Sequence, residues 1–164
     1  MEKMEIPKQC DVVVIGGGPA GSVAASRLAM DGFSVVLLEK AKHPRPNVGE
    51  SLIPQFWKFT DLIGASASIE SDGFIPKSGG LSLWRGQLRQ LKFSDFGYSR
   101  PGLHVERDRF DLLLLERTRA NGAQVFEEII VTGMDANLEA PVVRYRTRDN
   151  EAGELRAEIG RAHV

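Results

Sequence analysis

Apolar positions along the chain fall into two kinds of run. Asp11–Ile15 and Phe33–Glu39 are short, continuous and rich in valine, the pattern of strands buried on both faces. Between them, Ser22–Asp31 is Ala-rich, with Val23, Leu28 and Met30 among small residues, and Gly32 stops it. That pattern predicts a short helix with a glycine at its C-terminal end. Strand, glycine turn, helix and strand in this order make a βαβ unit, with parallel strands and a right-handed crossover. Further on, Lys42–Ser51 holds Pro44, Pro46 and Gly49 and reads as a loop. Leu52–Ile63 has near-helical apolar spacing with Pro54 in its first turn, whereas Gly64–Pro76 has no clear period. Lys77–Trp84 and Leu88–Phe93 flank the link Arg85-Gly86-Gln87 and predict a hairpin. Arg107–Asn121 carries the strongest helical pattern, with Phe110, Leu113, Leu114 and Arg117 on one face and Gly122 at its end. Gln124–Glu127 and Ile130–Asp135 read as strands. Val142–Arg148 and Glu154–Ala157, around the polar turn Asp149–Gly153, read as an outer hairpin.

Composition narrows the class of protein. The 164 residues carry 21 Lys+Arg against 22 Asp+Glu, a formal charge of −1, so no excess of cations suggests nucleic acid or an anionic membrane as a partner. The longest apolar runs, Val12–Ile15 and Leu112–Leu115, are far too short to span a bilayer. Met1–Gln9 mixes charges and has no apolar signal core, so a soluble cytoplasmic protein is expected. The single cysteine, Cys10, excludes an internal disulfide or a multi-Cys zinc site and reads as an inert thiol before a buried strand. His43 and His104 lack metal-ligand spacing, and Trp57 and Trp84 read as packing residues.

The chemistry begins at Gly16-Gly17-Gly18-Pro19-Ala20-Gly21, a G-x-G-x-x-G turn between a predicted strand and a predicted helix. In such a turn Gly16 permits the bend, Gly18 admits a diphosphate against the backbone, and Gly21 lets the helix pack closely. The amides from Gly16 to Ser22 and the helix N-terminus offer N–H groups and partial positive charge to an anion. Glu39 ends the second strand 18 residues after the last glycine, where a carboxylate can accept hydrogen bonds from both ribose hydroxyls of an adenosine and repel a 2′-phosphate. Lys40 follows it directly. The motif alone leaves FAD and NAD open.

The segment Asp11–Gly21 resembles the start of the aromatic-hydroxylase class of flavoproteins, whose turn holds the ADP half of FAD. His104–Leu115, with Val105-x-Arg107-x-x-Phe110-Asp111, is similar to the same class. The resemblance implies a Rossmann-like FAD/NAD(P)-binding fold, an Arg107 near the flavin or its diphosphate, and backbone contact of Val131 with the adenine.

Within that class, Arg45-Pro46-Asn47-Val48-Gly49-Glu50-Ser51-Leu52-Ile53-Pro54 closely resembles the V-G-E-S-L-x-P loop of flavin-dependent halogenases. By that resemblance Arg45, Val48, Gly49, Glu50 and Ser51 line the flavin. Independently, Gly49 lets backbone approach a planar ring, Glu50 can bond to it, and Ser51 can cap the helix that Pro54 helps to start. Gly73–Gly80 is similar to the family segment that carries its reactive lysine, here Lys77, and Leu83-Trp84-Arg85-Gly86 to its aromatic-glycine stretch. In the family, reduced FAD and oxygen give a flavin hydroperoxide, halide attack on it gives hypohalous acid, and the lysine presents the halogen to an electron-rich ring. The lysine does so as a hydrogen-bonded acid or as a haloamine. The resemblance also implies a separate flavin reductase, a halide, and an aromatic or carrier-protein-tethered substrate.

The likeness runs over Asp11–Ala157, about the first third of the family's length, so residues 1–157 are expected to be the N-terminal part of an FAD-binding domain, an incomplete fold by itself. The second flavin motif (G-D-A), the W-x-W-x-I-P signature and the family's acidic partner of the lysine lie beyond this chain's end in the family. After Ala157 the sequence leaves the family pattern. ATC-GGA-AGA-GCA-CAC-GTC encodes Ile159–Val164 and resembles the start of a common sequencing adapter, so Glu158–Val164 is expected to be read-through. Two alternatives stand beside the halogenase reading: a related aromatic hydroxylase or geranylgeranyl-reductase-like enzyme, and a truncated non-catalytic nucleotide-binding fragment.

Overall fold

The computed structural model describes residues 5–135 and 141–158. In chain order the elements are β1 (Gln9–Cys10), β2 (Val12–Ile15), α1 (Pro19–Met30), β3 (Val35–Glu39), β4 (Ser51–Leu52), a 3-10 turn (Pro54–Phe56), α2 (Trp57–Leu62) and α3 (Ser66–Ser71). There follow β5 (Ile75–Lys77), β6 (Gly79–Trp84), β7 (Gln87–Lys92), a 3-10 turn (Phe93–Phe96), β8 (Gly102–His104) and α4 (Arg107–Ala120). The last strands are β9 (Gln124–Glu127), β10 (Ile129–Asp135), β11 (Val142–Thr147) and β12 (Ala152–Ala157).

Strands β2, β3 and β9 form a parallel sheet in that spatial order, with β3 at its centre. All five β3 residues are buried, which is why its sequence is continuously apolar up to Glu39. Alternate side chains go to opposite faces. Val35 and Leu37 pack with Ala25 of α1 and Leu115 of α4, whereas Val36 and Leu38 pack with Ile129, Val143 and Leu155. The second group comes from a four-stranded sheet, β1-β12-β11-β10, so the molecule has three layers: helices, parallel sheet, and a mostly antiparallel sheet. This is the Rossmann-like α/β architecture expected from the sequence. A third cluster, built on Trp57, Ile69, Phe74, Leu103, Phe110 and Leu114, joins α2 and α3 to α4 and β8.

Both long helices end in the same way. Gly32 N donates to Ala29 O and Phe33 N to Leu28 O after α1; Gly122 N donates to Arg119 O and Ala123 N to Thr118 O after α4. These paired bonds satisfy the last helical carbonyls. The two helices also cross-bond, with Thr118 Oγ1 donating to Ser22 O at 2.9 Å.

Several expectations need correction. The helix expected over Ser22–Asp31 begins at Pro19, because proline suits the first turn and its missing N–H costs nothing there. Leu52–Ile63 is not one helix: Ser51 and Leu52 pair with β8 as a strand before the 3-10 turn and α2 begin. Ser51 therefore caps nothing; Ile53 precedes the turn without a side-chain cap. Gly64–Pro76 contains α3, which is too short to show a period. The expected outer hairpin is the middle of the four-stranded sheet, and Leu155 within it is fully buried. Glu158 N donates to Cys10 O at 3.0 Å, extending the β12–β1 ladder by one residue, while Ile159–Val164 lie outside the described residues. No helix among the described residues is long and apolar enough to cross a membrane.

Candidate functional site

The glycine turn sits at the C-terminal end of the parallel sheet, where this class of fold binds ligands. Gly16 N donates to Leu38 O at 2.8 Å, and Gly16 adopts φ +104°, so the chain turns sharply out of β2. A Cβ on Gly21 would lie 1.9 Å from Gly16 O, so only glycine allows α1 to start this close to the turn. The first helical bond of α1 runs from Ser22 N to Gly18 O at 2.9 Å. Of the expected donors, the Gly16, Gly17 and Ser22 amides are thus used within the protein, by Leu38 O, Glu39 Oε2 and Gly18 O. Ala20 and Gly21 present their amides ahead of that ladder, and Pro19 has none to present. Ser22 itself is buried, its hydroxyl donating to Gly17 O.

Glu39 points at this turn. Its Oε2 accepts from Gly17 N at 2.5 Å and its Oε1 from Ala41 N at 2.9 Å, and the residue is 3% exposed. Arg45 lies across it, with Nε 3.4 Å from Glu39 Oε1 and Nη2 3.8 Å from where a Cβ on Gly18 would lie. That Nε is buried and has no hydrogen-bond partner among the described residues. Arg45 reaches this position because the loop after β3 is tied down: His43 N and Nδ1 both meet Glu127 Oε1, at 2.5 and 3.1 Å. Burial raises the Glu127 pKa, but the His43 amide and Arg119 outweigh it and hold the carboxyl below its usual range.

The V-G-E-S loop is held from α4 and β8. Arg107, at the start of α4, donates through Nη1 to Val48 O and through Nε and Nη2 to Asp111 at 2.8 and 3.0 Å. Those bonds to Asp111 hold the Arg107 guanidinium above its already high range. A Cβ on Gly49 would come within 2.9 Å of Arg107 Nη1. Val105 N donates to Glu50 O at 2.8 Å, and Glu50 Oε2 accepts from its neighbour Gly49 N. Val48 is left 80% exposed, an apolar side chain presented at the loop surface.

Lys77 reaches the same loop by a route the sequence did not reveal. Strands β4 and β5 pair antiparallel with the two edges of β8, so Ser51 and Ile75 both register with His104, and Lys77 registers with Gly102. The half-buried Lys77 donates through Nζ to Ser51 Oγ. Two expected residues stand apart. Lys40 is exposed beyond Glu39 and Val131 is half-buried on β10. Lys40 lines a cavity of about 410 Å³ with Ile130 and Thr132, the neighbours of Val131. Sequence reasoning gave no role to Asp111 or to the His43–Glu127 pair. The i,i+4 spacing of Arg107 and Asp111 on a helix was the available signal for the first.

The model of the tryptophan halogenase family matches residues 11–147. The chain belongs to the tryptophan halogenase family. It is 38% identical to the tryptophan 2-halogenase of Chondromyces crocatus over 95% of this chain and 30% of that protein. It is 40% identical to the flavin-dependent halogenase armH4 of Armillaria mellea over 74% of this chain and 24% of that one. Among solved structures, the myxobacterial chondrochloren halogenase CndH, described as an FAD-dependent halogenase, superposes with a TM-score of 0.85 at 34% identity. That match covers 92% of this chain and 36% of CndH. The chain thus spans about a third or less of the length of these relatives.

FAD is the cofactor this family implies, and the residues present fit it. The Arg45 guanidinium, paired through Nε with Glu39 and with Nη2 3.8 Å from where a Cβ on Gly18 would lie, puts positive charge beside the turn, as a diphosphate requires. The Glu39 carboxylate, within reach of the turn, has acceptor capacity left for ribose hydroxyls.

Proposed function

We propose that this chain is the N-terminal, FAD-holding part of a flavin-dependent halogenase that acts on an electron-rich aromatic substrate. The observation that carries the reading is the contact of Lys77 Nζ with Ser51 Oγ, which joins the lysine-bearing strand to the V-G-E-S loop. In this reading the amides of Gly18, Ala20 and Gly21 and the Arg45 guanidinium hold the diphosphate. Glu39 holds the ribose, and the backbone at Val131 with Lys40 flanks the adenine. Val48, Gly49, Glu50 and Ser51 face the ring system, with Arg107 behind them.

Bound reduced FAD supplies, with oxygen, the oxidising power that turns halide into hypohalous acid. The Lys77 ammonium donates a hydrogen bond to the oxygen of that acid and polarises the oxygen–halogen bond. The ring carbon takes the halogen, the oxygen–halogen bond breaks, the ring proton leaves, and water is the second product. Ser51 Oγ accepts a second hydrogen bond from the Lys77 ammonium and aims it. A separate flavin reductase supplies the reduced cofactor, and the substrate is a free or carrier-tethered aromatic compound.

The test is Lys77→Ala in the complete protein. Halogenated product is expected to fall by at least about a hundredfold, the size of effect positioned proton donors supply, with FAD affinity unchanged by flavin fluorescence. Undiminished, chloride- or bromide-dependent product in that variant refutes the role of Lys77. An oxygenated product that ignores halide selects the hydroxylase reading instead.

A further inference from the structure

One buried carboxylate gathers the cations of this site. Asp111 on α4 is 0% exposed, and its oxygens accept from Arg107 Nε and Nη2 at 2.8 and 3.0 Å. Arg45 Nη1 stands 3.9 Å from Asp111 Oδ2. Two guanidiniums from separate segments therefore share one anion. Their other ends diverge: Arg45 reaches Glu39 and the space beside Gly18, whereas Arg107 holds Val48 O and lies against Gly49. We propose that Asp111 is the positioning residue of the flavin site, fixing Arg45 over the glycine turn for the diphosphate and Arg107 against the loop that faces the ring. The proposal rests on the flavin reading above.

The physical case is one of order. Arginine has a long stem with many rotamers, and a buried carboxylate with several acceptor positions selects among them. Arg45 leaves a stretch from Lys40 to Glu50 that contains no helix or strand. Asp111 stands on α4, which is fixed by its contacts with α1 and the core. The carboxylate thus lends the rigidity of a helix to a loop. Its charge acts the other way: an anion near the diphosphate repels it, so Coulomb attraction alone predicts tighter binding once the charge is removed. Positioning predicts weaker binding, and the sign of the effect separates the two.

The experiment measures FAD, ADP and adenosine affinities of the complete protein. Asp111→Asn is expected to weaken FAD and ADP by at least about tenfold, in the range of a lost charge-assisted hydrogen bond, and to leave adenosine unchanged, which general loosening of the fold would not do. Arg45→Met is expected to show the same split, and the double variant to lose no more than the weaker-binding single. Unchanged or tighter FAD binding by Asp111→Asn overturns the proposal, as does an equal loss for adenosine and ADP. Should Asp111→Asn fail to fold, Arg45→Met decides: wild-type ADP affinity in that variant overturns the proposal. A wild-type protein that binds neither FAD nor ADP refutes the flavin reading itself, a result distinct from any variant effect.

Discussion

Gly21 has no room for one more carbon. A Cβ there would sit 1.9 Å from Gly16 O, which belongs to the backbone of the turn and cannot yield without moving β2 or α1. Gly21→Ala is expected to destabilise the fold by about 3 kcal/mol, the scale of overpacking at a rigid contact. Gly80→Ala, where nothing lies within 4 Å, is expected to stay within about 0.5 kcal/mol. Urea midpoints of the two variants check this; similar midpoints would mean the turn is softer than its geometry. Cys10 offers a second test. Burial, the largest cause, pushes its thiol from the ordinary 9.0 up to about 11. A raised thiol pKa contributes stability that is complete below 9.0 and is lost as pH climbs toward about 11. The melting temperature of wild type is therefore expected to fall more steeply than that of Cys10→Ala between those two values. Parallel curves would show that the thiol titrates as freely folded as unfolded. In the folded state at neutral pH the thiol is expected to resist alkylation, as an inert buried cysteine should.

Among the elements, the hairpin β6–β7 contrasts most with the core. Leu83 stands directly opposite Leu88, with Leu81 two residues along on the same face, and these side chains are between 69% and 72% exposed. Leu83→Ser is expected to leave the thermal stability of this chain within about 0.5 kcal/mol, whereas Leu37→Ala, fully buried in β3, is expected to cost about 2–5 kcal/mol. Calorimetry of both variants tests whether the hairpin is as detached from the core as its exposure states. The same contrast explains what could be read without coordinates. Strand β3 and helix α4 were legible because burial on two faces or on one helical face writes itself into the order of apolar residues. The hairpin was legible from its link, Arg85-Gly86-Gln87, despite an unburied face. Strands β4 and β8 were not: Ser51–Leu52 and Gly102–His104 are two and three residues long, and what makes them strands is each other. That is also why Lys77 could be named as a candidate while its neighbour Ser51 could not be named as its partner. The glycine turn and Glu39 follow from local spacing, but Asp111 acts through Arg45, which lies 66 positions away in sequence, and no local pattern encodes that distance.

Across the whole molecule the site draws on all three layers. In the proposed flavin site the parallel sheet supplies the turn and Glu39, the helical layer Asp111 and Arg107, and the antiparallel sheet the Val131 neighbourhood. With a net charge of −1, the chain has no global field to attract an anion, so binding depends on the local amides and guanidiniums. A ligand that contacts all of these at once holds the layers together and stabilises the native state by mass action. At a free FAD concentration of about 100 times Kd the gain is about 2.7 kcal/mol. For a chain of this size each kcal/mol is about 2–4 °C in Tm, so FAD is expected to raise the melting temperature by about 5–10 °C. Riboflavin, which has the ring but neither diphosphate nor adenosine, is expected to raise it far less, because the proposed grip is on the ADP half. Circular dichroism melts with each ligand distinguish the outcomes. Equal shifts from both ligands would place the grip on the ring and remove the role assigned to the glycine turn, and no shift from either would select the non-binding fragment.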